Sequence, residues 1–146
     1  MLSEETIALV QHSIPLLKKN EDDILSLFYK KLFEADEVIK EMFNKVTKEK
    51  GKQPMALIKT LIIIAQNLDD LSKMKPMIKI VSTMHVQRHV QKNQYIIVKK
   101  CFLDSMKEIL GDKLSLDTLN AWSKSYDTIS KLFINTEEKL YKCSMS

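Results

Sequence analysis

Leu119, Trp122, Tyr126, Ile129, Phe133 and Leu140 recur at spacings of three, four, three, four and seven near the C-terminal end of the chain. Only an α-helix gathers such positions onto one face, and a face that long needs other elements to cover it. The same rhythm returns earlier. Ile7, Val10, Ile14 and Leu17 carry it behind a Ser3 cap and the acidic pair Glu4 and Glu5, which suit the unpaired amides and dipole of a helix start. Ile24, Leu25, Phe28, Leu32 and Phe33 carry it behind Asn20, Glu21, Asp22 and Asp23. Leu57, Ile58, Leu61, Ile62, Ile64, Ala65 and Leu68 make a further helix apolar over most of its circumference, hence central. Two glycines and three prolines in 146 residues are too few turn residues for a sheet protein. The fold class expected is all-α, a single domain over residues 1–146 with about six main helices and no internal repeat or linker.

Pro15 is expected to bend the first helix. A short helical piece at Glu37 to Phe43 leads into Asn44 to Lys52, polar, rich in lysine and read as a mobile loop. Pro54 suits the first turn of the next helix, with Gln53 at its start. Asp69 to Lys75 reads as a connection. Pro76 opens a helix expected to end near Val90 to Lys92, and a long helix then runs from Tyr95 to Leu110, closed by Gly111. Ser115 begins the last helix.

Several function classes fall away on composition. The net charge is +4, but both signs are scattered and Arg88 is the sole arginine, so no basic stripe suited to nucleic acid exists. The longest strongly apolar run, Leu61 to Ala65, is far too short for a membrane span, and the N-terminal MLSEET is no signal peptide. A cytoplasmic protein is the expectation. Cys101, among Val98, Phe102 and Met106, reads as a buried thiol and Cys143 as part of a frayed tail, with nothing demanding a disulfide. There is no glycine-rich phosphate loop and no nucleophile elbow. His85 and His89 have zinc-compatible spacing, but Val86 stands where a zinc protease needs glutamate.

Four residues remain. The row of the last helix is interrupted where an apolar side chain is due, at Thr136 or Glu137, so Glu137 is expected to be a buried carboxylate with a partner, while its neighbour Glu138 is solvated. His85 lies close to an apolar row of Met77, Ile80, Val81 and Met84, either as a core histidine bonded to a carbonyl or as a ligand with one free ring nitrogen. Tyr29, beside Phe28, has a phenol either tied to backbone or aimed into a pocket. Gln53 is the fourth. Such a set suits a bound cofactor better than a hydrolytic site. Haem iron asks for one axial histidine, an apolar slot and distal donors.

At this point a family resemblance enters. SIPLL (13–17), FYKKLF (28–33), MFN (42–44), QPMAL (53–57), AQNLDDL (65–71), QY (94–95), AWSKSY (121–126) and FINTEEKLY (133–141) occur in this order over essentially the whole chain. In that order the sequence resembles the globin domain of flavohaemoglobins and the single-domain bacterial haemoglobins of the Vitreoscilla type. The resemblance implies a globin fold, a three-on-three helical sandwich around haem b, with His85 as the iron ligand and Phe43 stacked on the cofactor. Phe28, Leu57, Met84, Val90, Tyr95, Val98 and Tyr126 would also contact it. Tyr29 would be the distal hydroxyl, with Gln53 and Leu57 on the distal helix. Tyr95 and Glu137 would hold the far nitrogen of His85 and make it more basic.

The function implied is reversible O2 binding with conversion of nitric oxide to nitrate, or O2 storage and delivery without sustained catalysis. No reductase half follows, so an external reductase is implied, on a monomer or homodimer. The sequence departs from the family pattern at Met84, where lysine is usual, and at Lys99, Ser123 and Asp127, where glycine is usual. Arg88 and His89 are additions beside the proximal helix end.

Overall fold

Ser3 opens the first helix as its sequence position suggests: its Oγ accepts from the Thr6 amide at 3.1 Å. The computed structural model describes residues 2–50 and 56–145. They form seven α-helices: α1 Glu4–Lys19, α2 Glu21–Ala35, α3 Glu37–Lys50, α4 Ala56–Gln66, α5 Lys75–Gln87, α6 Lys92–Leu110 and α7 Leu116–Met145. Two 3-10 pieces, Leu68–Met74 and Gly111–Lys113, join α4 to α5 and α6 to α7. No strand occurs among the described residues. The principal contacts are α2 with α6, and α7 with α1, α5 and α6; α4 packs on α1. These place α1, α4 and α5 over α2, α6 and α7, three helices on three, as the sequence led us to expect.

The core is the sum of the apolar rows. Val10, Ile14 and Leu17 of α1, Phe28 and Leu32 of α2, Ile58 and Ile64 of α4, Phe102 and Met106 of α6, and Trp122 and Ile129 of α7 are all buried. A polar chain runs through this apolar packing. Trp122 Nε1 donates to Ser13 Oγ at 2.7 Å, and Ser13 donates to the Val10 carbonyl at 2.7 Å. It satisfies the indole N–H and fixes α1 on α7, 109 residues away in sequence. The Trp122 ring stands edge-on to Phe102, centroids 5.6 Å apart.

Several expectations are corrected. Asn44 to Lys50 is helical, the end of α3 rather than a loop; Gly51 and Lys52 lie outside the described residues. That stretch has no apolar row after Phe43, and a solvated helical face reads like a loop when polarity alone is judged. The α5 helix ends at Gln87, before the predicted boundary, and α6 begins at Lys92 rather than Tyr95. Gln91 caps α6: its amide donates to Gln94 Oε1 at 2.8 Å, one half of a reciprocal capping box. Ile80 is 64% exposed, so the row proposed beside His85 is not buried as a unit; α5 instead buries Ile78 and Ser82. As expected, α1 is one helix with Pro15 inside it. Cys143 lies within α7, not in a frayed tail, and Cys101 is buried as expected. No helix among the described residues is long and apolar enough to cross a membrane.

Candidate functional site

Three helices meet at one imidazole. α5 supplies His85, α6 supplies Tyr95 from its first turns, and α7 supplies Glu137. The Tyr95 hydroxyl donates to Glu137 Oε2 at 2.5 Å. His85 Nδ1 lies 2.9 Å from Tyr95 Oη and 3.1 Å from Glu137 Oε2. With the phenol proton committed to Glu137, Nδ1 can join this triangle only by bringing a hydrogen of its own. The lone pair of the ring is therefore on Nε2, which has no protein partner among the described residues.

Glu137 is only 4% exposed and occupies the gap in the α7 row; Thr136, the other candidate, is bound to the Leu132 carbonyl at 2.8 Å. Burial and the adjacent Glu137 carboxylate push the Tyr95 phenol far above its usual range, so it remains a donor. Glu138 is partly exposed and pairs with Lys92.

The backbone around this triangle is pinned. Tyr126 Oη donates to the Tyr95 carbonyl at 2.8 Å, and Tyr141 Oη to the Val90 carbonyl at 3.2 Å. Past Arg88, the C-cap of α5, the Val90 amide returns to the His85 carbonyl at 2.9 Å and the His89 amide to the Val86 carbonyl at 3.1 Å. This is a Schellman closure, with His89 at φ +59° where glycine is the usual occupant.

Beside the ring lies a cavity of about 320 Å³. Its walls include Phe43, Leu57, Met84, His85, Val90, Tyr95, Val98 and Tyr126, all singled out from sequence. Ile39, Met42, Leu61, Ile64, Val81, Ile129 and Phe133 add apolar surface, and Thr60, Arg88, Gln94 and Ser130 add polar groups. Gln94 entered the sequence reading only within the QY pair at 94–95; the structure buries it, with Nε2 donating to Met42 Sδ at 3.5 Å. Phe28 and Tyr29 are not part of the lining. They stand behind Phe43, the Tyr29 ring 5.2 Å from Phe28, 5.7 Å from Phe33 and 5.4 Å from Phe43. Burial pushes the Tyr29 hydroxyl up to about 12. Gln53 lies outside the described residues.

A cavity of largely apolar walls with His85 in its lining has the form of a ligand-binding site. The model of the family described as Globin matches residues 26–132. The chain belongs to the globin family. This globin is 33% identical over 141 residues to a flavohemoprotein of Halalkalibacterium halodurans, a match that covers 97% of this chain and 34% of that protein. It thus spans about a third of the length of the curated flavohemoproteins it matches first. An engineered carbene transferase, described as a proposed nitric oxide dioxygenase from Rhodothermus marinus, superposes with a TM-score of 0.85 at 28% identity, over 100% of both chains. The flavohemoglobin of Malassezia yamatoensis, solved with bound FAD and heme, also gives 0.85, at 26% identity, over 97% of this globin and 38% of that chain.

Proposed function

We propose that this globin holds haem b in the cavity, binds O2 there, and converts nitric oxide to nitrate with electrons from a separate reductase. The observation that carries this reading is the lone Nε2 of His85, turned from the Tyr95 and Glu137 bonds and bordered by apolar walls. The donor set fits the group. His85 would hold the iron through Nε2, and the apolar walls would enclose the rest of the group. When bound, haem supplies the site for diatomic gases and the redox chemistry by which one nitric oxide, one O2 and one electron give one nitrate.

The remaining roles belong to the chain. Glu137 and Tyr95 orient the imidazole and hold its Nδ1 hydrogen, which makes Nε2 a stronger donor. Phe43, Leu57 and Val98 keep water from the slot. Tyr29, its proton secured by burial, is a neutral hydrogen-bond donor behind Phe43. The flavohemoprotein relatives and the proposed nitric oxide dioxygenase support the nitrate-forming half of the reading.

The test is to mix the oxygenated protein with nitric oxide in the presence of a flavin reductase and to count nitrate per protein. Nitrate accumulating over many turnovers is expected. A single stoichiometric burst that then stops, with the reductase demonstrably active, would leave O2 storage or delivery as the function.

A further inference from the structure

Arg88 is the sole arginine of the chain, and it lines the cavity. Among the described residues every other lining side chain is apolar or uncharged except for the His85 imidazole, so among them Arg88 alone brings a permanent charge to these walls. It sits four residues after Met84, on the same face of α5 and its cap. Met84 is 41% exposed and Arg88 half-buried, so the two make the solvent edge of the cavity on this side.

Several lysines of the chain are engaged. Lys31 pairs with Glu108, Lys92 with Glu138, Lys99 with Asp127 and Lys100 with Asp104. Arg88 has no ion pair or side-chain hydrogen bond among the described residues. A half-buried guanidinium with five donors and no acceptor, at the mouth of an apolar cavity, is arranged for an anionic group on the occupant. The closure after α5 fixes the Arg88 backbone relative to His85, since the Arg88 amide bonds the Met84 carbonyl at 3.1 Å and the His85 carbonyl at 3.2 Å. The main chain that carries the imidazole and the guanidinium is therefore one unit.

We infer that Arg88 binds the carboxylate edge of the porphyrin while His85 takes its centre. This rests on the haem reading above. It makes the cavity selective for a porphyrin with free carboxylates over a neutral one, and Met84, apolar at the preceding turn, adds nothing to that selection.

The experiment compares haem with its dimethyl ester, in which both carboxylates are masked. Each is loaded into the wild-type chain, Arg88→Met and Arg88→Lys, and its loss to excess apomyoglobin is followed by absorption. Arg88→Met should release haem about tenfold faster than wild type, the scale of one charge-assisted hydrogen bond, and release the diester at the wild-type rate. Arg88→Lys should fall between, and circular dichroism of each variant checks that α5 is retained. Equal acceleration for both porphyrins, or no acceleration for haem, overturns the role of Arg88 while leaving the haem reading intact. A wild-type chain that captures neither porphyrin overturns both.

Discussion

Glu137 Oε2 stands 3.1 Å from Nδ1 of His85, a residue 52 positions earlier in the chain, and the Tyr95 hydroxyl closes the triangle at 2.5 Å from the same oxygen. A carboxylate in the apolar row of α7 is tolerated because two donors meet it there.

Replacing that carboxylate by an amide tests its electronic role. In Glu137→Gln the side chain keeps its size but loses its charge, so Nδ1–H is held less strongly and Nε2 becomes a weaker donor. The iron–histidine stretching frequency of the ferrous haem protein, read by resonance Raman, should shift downward. An unchanged frequency would mean that Glu137 has no electronic influence on the imidazole.

Tyr29 ties stability to alkaline pH. Burial raises its hydroxyl from 10.0 to about 12, so the folded chain keeps a proton that the unfolded chain gives up in this interval. Stability from this group is complete below pH 10 and is lost as pH rises towards 12. Tyr29→Phe should make the fall between pH 10 and 12 shallower, by at most about 1.4 kcal/mol per pH unit. Urea midpoints at several alkaline pH values check this; parallel curves for the two proteins would count against it.

The Trp122 to Ser13 bond, 2.7 Å long and buried, sets a third expectation. Ser13→Ala strands the indole N–H in the core, at a cost of about 1–3 kcal/mol. Trp122→Phe with Ser13→Ala should recover part of this, since no donor is then left unpaired. Chemical denaturation of the two variants measures both effects.

His89 offers a gain. It holds φ +59° at the closure of α5, a conformation that strains most side chains but not glycine. His89→Gly should raise stability by about 0.5–1 kcal/mol, visible as a higher melting temperature. A lower one would mean that the imidazole makes interactions worth more than the strain.

How far the sequence foretold all this varies with the kind of signal. The helices and the gap at Glu137 were legible because burial on one helical face leaves a periodic mark. His85, Tyr95 and Glu137 could be brought together only by resemblance, since no spacing within the chain reveals which three helices converge. The end of α3 was misread because a polar helix lacks an apolar row, and the end of α5 because His89 takes a backbone conformation that sequence normally announces with glycine. Ile80 was misplaced for another reason: its apolar side chain lies on the solvent side of α5, and composition does not say which face a neighbour covers. Two departures from the family pattern acquire a shared explanation. Lys99 and Asp127, both where glycine is usual, form an ion pair at 2.7 Å between α6 and α7.

The most direct measurement is the absorption spectrum of the purified chain titrated with haem, beside that of His85→Ala verified as helical by circular dichroism. An intense Soret band saturating at one haem per wild-type chain, and lost or strongly displaced in the variant, is the expected result. No Soret band in the wild type, or an identical band and affinity in His85→Ala, would contradict the assignment of that imidazole as the ligand.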